Sequence, residues 1–460
     1  MHMTQENILG TKPIPRLLLQ FGIPSVVSFL VNSIYNIVDQ IFIGQRVGYL
    51  GNAATTVTFP FVTISLAVSL MISHGTAANV GLSLGRKEQE RADRTMANGF
   101  CMALIMGFVM LAIGQIFLVP MLRVFGATDK VLPYAIDYAR YYIIGIPFTT
   151  IGIMVNDEIR ADGNPAFTMK SMLAGAVFNI VFDYIFVFPL NMGVTGAALA
   201  TIMGQFITMV LGLWYLPRLK TIHFRRENMR LQPQIVKSIL LLGLSSFITQ
   251  VAMLFMQIIL NRQAVKYGAL SKYGPEIPLT VFGIIIKINQ IMMSLIMGIT
   301  TGNQPVFSYN YGARKYTRVR DLVKVCMIVT TIIGVIGTFC LQMFPQQIIS
   351  IFGQEDALYN EFAVMAMRNM TFLIFILGVQ TTASVYFQAV GKPKGSVVIS
   401  LSRQIAFMIP LLLILPLFLG VRGVMLAFPG ADIAAVTLCS IMLIREIMNL
   451  NRMIAAGEGQ

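Results

Sequence analysis

Gly75-Thr-Ala-Ala-Asn-Val-Gly-Leu-Ser-Leu-Gly85-Arg-Lys87 returns 227 residues later as Gly302-Asn-Gln-Pro-Val-Phe-Ser-Tyr-Asn-Tyr-Gly312-Ala-Arg314. Few residues are identical, but the flanking glycines and the trailing basic residue keep their places. At the same offset Val124-Phe-Gly-Ala-Thr-Asp129 meets Ile351-Phe-Gly-Gln-Glu-Asp356, and Pro189-Leu-Asn-Met-Gly193-Val-Thr-Gly196 meets Pro416-Leu-Phe-Leu-Gly420-Val-Arg-Gly423. Ala161-Asp-Gly-Asn-Pro165 meets Ala389-Val-Gly-Lys-Pro393 one residue further on. Matches this ordered, spread over most of each half, mean an internal duplication.

What is duplicated follows from composition. Of 460 residues 56% are hydrophobic and only 12% charged, about half the charge that an ordinary soluble domain carries. That supply is too small to cover a soluble globule, so the apolar surplus faces lipid and a soluble enzyme is excluded. The apolar runs, such as Ile239–Leu260 and Val397–Leu419, have the length of spanning helices, about 20 residues. They lack the short alternating segments of an outer-membrane barrel. Read between charged or Gly/Pro-rich breaks, the sequence predicts twelve spans: 15–45, 52–81, 95–121, 131–158, 165–190, 194–217, 235–266, 277–307, 319–344, 358–390, 395–419 and 421–448. The first is too long for the apolar core of a cleavable signal and is expected to serve as the insertion signal itself.

The net charge of +14 suits topology better than nucleic acid. Of 34 Lys and Arg, 23 fall in the N-terminus, the loops after even-numbered spans and the C-terminus, against seven in the other loops. The inside carries the positive charge, so both termini are expected in the cytoplasm of a multi-pass cell (inner) membrane protein. Six spans per repeat, an even number, insert both halves the same way up. The expected fold is therefore an all-α membrane protein of two six-helix lobes related by a pseudo-two-fold along the membrane normal, a parallel-repeat arrangement. The limits are 1–217 for the first lobe, 218–234 for a cytoplasmic linker, 235–450 for the second lobe and 451–460 for a cytoplasmic tail.

Polar residues inside spans are costly and mark function. In span 1, Ser25, Ser28, Asn32, Asn36 and Asp39 follow at steps of three and four, on one helix face. Gly175, Asn179 and Asp183 do the same in span 5, and Thr201 and Gln205 stand four apart in span 6. Two carboxylates among amide and hydroxyl oxygens suit a proton or a small hard cation such as sodium, and a carboxyl removed from water favours its neutral form. On the repeat, Asp39 falls on Leu260, Asp183 on Leu411 and Asn179 on Phe407. The carboxylates thus belong to the first lobe alone, which predicts a cation site there and more of the substrate wall in the second lobe.

That wall has its own candidates. Lys287 shares a helical stripe with Gly283, Gln290 and Ser294 in span 8; it lines the cleft, pairs with an acid, competes with substrate as a tethered cation, or snorkels. Met253, Met256, Met292, Met293 and Met297 are flexible side chains of the kind that accepts varied ligands, or plain packing. The cleft is expected to include Asn36, Gln205, Met253, Gln257, Lys287, Gln290 and Met293. Arg140, Arg368 and Arg403 read as structural or snorkelling, Asp432 has no evident partner, and the charges of Asn156-Asp-Glu158-Ile-Arg160-Ala-Asp162 are expected to pair locally. Cys101, Cys326, Cys340 and Cys439 all lie in apolar segments, which gives neither a disulfide framework nor metal spacing. His2, His74 and His223 are too scattered for a local metal motif, and no GxxxxGK[ST] loop cradles a phosphate. No nucleophile–base constellation marks an enzyme, so energy must come from a gradient.

Together these residues resemble the MATE (multidrug and toxic compound extrusion) family. The likeness lies in the two six-helix halves, Val38-Asp39 closing the polar face of span 1, and the paired Gly85-Arg-Lys and Gly312-Ala-Arg-Lys loops. Arg160-Ala-Asp-Gly-Asn-Pro165 with Gly391-Lys-Pro393, and the Asn179/Asp183 pair, extend it over essentially the whole chain. Within the family the chain resembles the bacterial MepA-like and DinF-like branch, which carries an aspartate in span 5. The resemblance implies export of organic, often cationic, drugs and dyes in exchange for protons or sodium. It implies no cofactor, no nucleic acid and no obligate protein partner beyond the surrounding lipids. Asp39, Asn179 and Asp183 match the family's first-lobe cation site, and the resemblance adds Asn156 and Thr201 to it. A flippase for a lipid-linked precursor stands as the alternative, because it would share the duplication and Lys287 would suit its headgroup.

Overall fold

The computed structural model describes residues 8–351 and 357–457, and among these the regular structure is entirely helical. Span 1 is Ile14–Val47, span 2 Tyr49–Gly85 and span 3 Gln89–Ile116. Span 5 is Pro165–Val187, span 6 Gly193–Tyr215, span 7 Pro233–Ala269 and span 9 Tyr316–Met343. Span 12 is Val421–Ala455. Several begin with proline in the first turn, where its missing N–H costs nothing. At span 5 the preceding Asn164 also caps the helix, its side chain accepting from Phe167 N at 3.1 Å.

Eleven helices among the described residues are long and apolar enough to cross a membrane; the twelfth crossing is made in two pieces. Span 4, expected to be continuous over 131–158, is divided into Leu132–Ile144 and Ile146–Ala161. Pro147 has no N–H for the carbonyl of Ile143, four residues back, and Gly145 N instead closes a tight turn on Tyr142 O at 2.9 Å. Thirteen and 16 residues at 1.5 Å each still give about 43 Å, more than the hydrocarbon core of about 30 Å. Span 10 breaks at the corresponding place in the repeat, into Ala357–Thr371 and Leu377–Ala389 with a 3-10 turn at Ile374–Ile376. Span 8 runs Glu276–Gly302 and continues as Gln304–Gly312. Span 11 is Pro393–Leu401, a π-helical stretch Ser402–Met408, then Ile409–Leu419.

The backbone repeats with the sequence. Left-handed φ occurs at Lys87 (62°) and Arg314 (58°), at Gly163 (100°) and Gly391 (78°), and at Gly193 and Gly420 (both 57°). Each pair is one repeat apart. Of the match at Ile351–Asp356, residues 352–356 lie outside the described residues, as do His2 and the last three residues of the expected tail. The two halves meet face to face. A Cβ on Gly85 would overlap Tyr309 O, and one on Gly312 would overlap Leu82 O. Residues 82 and 309 are themselves one repeat apart, so this mutual contact marks where the pseudo-two-fold axis passes.

Spans 1 and 2 of the first lobe pack against spans 8 and 7 of the second. The hydrogen bonds between lobes gather at the basic end. Asn303 Nδ2 donates to Leu18 O at 3.3 Å, Gln304 Nε2 to His74 O at 3.0 Å, Asn310 Nδ2 to Leu9 O at 2.9 Å and Asn79 Nδ2 to Ser238 Oγ at 3.0 Å. His74 Nδ1 and Ser246 Oγ lie 2.9 Å apart. The outermost bond joins the hydroxyls of Ser33 and Ser294 at 2.7 Å, and among the described residues none joins the lobes beyond it. On the outer surface, rows such as Ile328, Ile332, Val335, Ile336 and Phe339 of span 9 stay exposed, the apolar belt that lipid requires.

Candidate functional site

Span 1 lies along span 5, and span 5 along span 6. Their polar faces converge inside the first lobe. Asp183 is fully buried, Asn179 and Asp39 are buried, and Thr201 closes the group from span 6. Asn179 Nδ2 donates to Thr201 Oγ1 at 3.4 Å. Asp39 and Asp183 are direct electrostatic neighbours. Both oxygens of Asp183, Oδ1 of Asp39 and Oδ1 of Asn179 are buried without a hydrogen-bond donor among the protein's groups. Buried oxygens in that condition cost free energy unless something supplies positive charge or a proton. Carboxylate and amide oxygens in this condition are donors of the hard kind that a proton or sodium takes. Among the described residues no group of three or more His, Cys, Asp or Glu could hold a metal ion.

Sequence reasoning missed the ring around this pair. Tyr138 lies within electrostatic range of Asp39, Asp183, Tyr35 and Tyr142. Tyr138 and Tyr142 stack with centroids 6.0 Å apart, and Tyr142 turns its hydroxyl towards Gln205 and Ser65. The signal was present: Tyr35 precedes Asp39 by one turn, and Tyr138 and Tyr142 stand four apart, on one face of span 4. Gln205, expected in the cleft, belongs here instead. Its Oε1 is buried and unpartnered, lying where a Cβ on Gly145 would come within 2.6 Å, so the break in span 4 makes room for it.

Asn156 is placed elsewhere. Its Nδ2 donates to Gly152 O at 2.8 Å, and its backbone oxygen accepts from Thr168 Oγ1 at 3.0 Å. Thr168 stands eleven residues before Asn179 on span 5, about 16 Å along a helix, so Asn156 does not join the carboxylates. Its neighbours form a buried charge network instead. Asp157 accepts from Arg160 Nη2 at 2.9 Å and from Ser73, with His74 Nε2 at 3.8 Å. Glu158 is fully buried with neither oxygen bonded, contrary to the expected local pairing. Asp162 ties down the linker, accepting from Lys220 N at 2.8 Å and from Thr221 N and Oγ1 at 2.6 Å.

The remaining residues expected in the cleft divide. Asn36 and Gln290 are exposed, Lys287 and Met293 partly so. Met253 and Gln257 share one face of span 7, with Gln257 Nε2 donating to Asn261 Oδ1 at 3.2 Å. Met292 is turned away onto Gly337 of span 9. Asp432 does have a partner: Arg403 Nε lies 2.8 Å from its Oδ1, both buried or nearly so. In the second lobe the repeat partners of the carboxylates are apolar, Leu260 in the core and Leu411 packed against the same cluster.

Comparison with known proteins fits this architecture. A profile of the family MatE matches residues 24–185 and 246–414, the greater part of both halves. The chain belongs to the MATE family. As a MATE protein it is similar to the multidrug export protein MepA of Staphylococcus haemolyticus, 23% identical over 94% of this chain and 93% of MepA. MepA of Staphylococcus aureus is 22% identical over 90% and 89%. The MATE multidrug transporter DinF-BH, solved in complex with a dye, is 34% identical with a TM-score of 0.87 over 95% of this chain and 96% of that one. An outward-facing multidrug resistance MATE transporter has the same fold, with a TM-score of 0.89 at 23% identity over 98% and 100% of the two chains.

Proposed function

We propose that this MATE protein is a secondary active multidrug efflux transporter, exporting organic compounds across the cell membrane in exchange for protons or sodium by alternating access. The observation that carries this reading is the Asp39–Asp183 pair, buried without donors in one lobe while its repeat partners Leu260 and Leu411 are apolar. Similarity to proteins named multidrug export protein MepA, and to the dye-bound DinF-BH, supports drugs and dyes as the cargo. In this reading residues 1–217 hold the cation site, with Asp39, Asn179, Asp183 and Thr201 as ligands. Residues 235–450 supply more of the cleft wall, 218–234 cross the cytoplasmic face, and 451–460 end in the cytoplasm with the N-terminus.

The lobes are joined at the basic, cytoplasmic end, so the cleft opens outward. Protonation of Asp39 and Asp183, or sodium bound between them, relieves the cost of their burial and repacks span 1 on span 5. Span 1 yields at Pro24, which leaves a carbonyl without its helical N–H. Cargo is then released, and the lobes close outside and part inside. Moving one charge across the membrane is worth about 2.3 kcal/mol per 100 mV, so a monovalent cation exchanged for one proton draws nothing from voltage. Such cargo requires two ions, or a concentration gradient of the ion.

The test is dye efflux from everted vesicles or proteoliposomes with proton and sodium gradients imposed separately. Transport under one of them, lost in Asp183→Asn, names the ion. No dye movement under either, in folded protein, overturns the reading.

A further inference from the structure

Span 8 presents Gly283, Lys287, Gln290 and Ser294 on one face, while Ile285 and Ile288 point into the core of the second lobe. Ser294 tells which way that face looks, because its hydroxyl bonds Ser33 of span 1. Outward from that contact, the next polar residue on each helix, Gln290 and Asn36, is exposed. The two helices therefore part beyond the Ser33–Ser294 contact. Lys287 stands seven residues outward of Ser294, about 10 Å along the helix, and is partly exposed. One turn further, nothing beyond the helix's own backbone lies within 4 Å of where a Cβ on Gly283 would stand. Lys287 thus stands one turn from open space on the same helix face.

Among the described residues it also has no counter-ion. Lys287 makes neither an ion pair nor a hydrogen bond among them, and the described acids of its lobe are engaged or distant. Asp321 pairs with Arg320, Glu361 with Lys272, Asp432 with Arg403 and Glu446 with Lys392. Glu276 begins the same helix eleven residues away, about 16 Å. A cation beside open space, on an apolar wall with no described acid to neutralise it, repels cationic groups and attracts anionic ones.

We propose that Lys287 is a specificity residue that anchors the anionic group of an amphipathic cargo, a carboxylate carried on an aromatic or aliphatic body. The assignment rests on the transport reading above and narrows its substrate class. Cargo would lie with its carboxylate on Lys287 and its apolar body along the methionine-bearing wall, facing away from the carboxylates of the first lobe. Purely cationic molecules would gain nothing from this wall.

A matched pair of dyes tests it: rhodamine B, with a free carboxylate, and its ethyl ester, with that carboxylate masked. Binding to purified protein is read by fluorescence polarisation, and efflux in proteoliposomes under the coupling gradient. Expected is a preference for the free acid that falls about tenfold in Lys287→Met, is kept in Lys287→Arg, and shrinks in the wild type as salt rises. An unchanged acid-to-ester ratio in Lys287→Met overturns the assignment. If that variant does not fold, Lys287→Gln and the salt series of the wild type decide in its place. Both dyes bound alike, with gradient-driven efflux intact, sinks this proposal and leaves the transport reading standing; neither dye bound or moved sinks both. Displacement of rhodamine B by phosphatidylglycerol, but not by phosphatidylcholine, would assign the lysine to lipid headgroups and overturn the cargo role.

Discussion

Asp183 is fully buried with neither carboxylate oxygen hydrogen-bonded, and Asp39 faces it from the neighbouring helix with its Oδ1 in the same condition. A resting structure gains nothing from that arrangement. Two such groups are tolerated where an ion or proton comes and goes, and this is the ground for proposing a coupling role for them. Asp183→Asn keeps the shape and removes the charge. It should abolish gradient-driven efflux while changing dye affinity less than about threefold. The same substitution should raise the unfolding free energy by about 1–3 kcal/mol, the scale of relieving one unsatisfied buried group, measured as a higher melting temperature near neutral pH. A destabilised variant with intact coupling would contradict both halves of the argument.

Asp432 and Arg403 make the opposite case, an acid in the membrane whose partner is present. Removing one partner strands the other, so Asp432→Ala should cost about 3–5 kcal/mol. Replacing both, as Arg403→Met with Asp432→Leu, should recover most of the loss, because well-packed apolar residues rival a buried ion pair. Thermal unfolding of Arg403→Met, Asp432→Leu and the double variant gives the coupling energy directly. Additive losses would mean that the two residues act independently.

The two cases mark what was legible in the sequence. The duplication, the spans and the polar faces of spans 1, 5 and 6 could be read because each is written in a local period or a repeated offset. The pairing of Arg403 with Asp432 could not, since 29 positions separate residues on different helices and no period links them. The break in span 4 was written in Gly145 and Pro147, but a proline near the middle of an apolar run can kink a helix as well as divide it. Asn156 was misplaced for a related reason. Its polarity was visible, but its depth along span 4 depends on how that broken helix sits against span 5.

Closure of the lobes at the basic end depends on Gly243. A Cβ there would overlap the carbonyl oxygen of Met71, and one on Gly75 would overlap that of Ile239. The two backbones touch because neither helix has a side chain at the crossing. Gly243→Val should therefore hold the basic ends of the lobes apart without unfolding either lobe. Spin labels placed on the inner ends of spans 2 and 7 should report a longer mean distance, and efflux should fall by at least about tenfold. A distance distribution matching the wild type would show that the crossing adapts.

Asp162 makes a different prediction, about the segment between lobes. Its carboxylate accepts from two successive backbone N–H groups, Lys220 and Thr221, and from the Thr221 hydroxyl. A lighter fastening follows at Asp93, which accepts from His223 N at 2.9 Å. Asp162→Ala removes three acceptances by a charged group, each worth about 1.5–3 kcal/mol when isolated, though a flexible loop returns part of that as entropy. The expected result is local release. Limited trypsin digestion should cut at Arg218, Lys220 and Arg225 several-fold faster, while the melting temperature of the helical body moves little. Asp162→Asn keeps acceptor oxygen but not charge and should fall between the two. Equal digestion rates in all three proteins would place the hold on the linker in its other contacts.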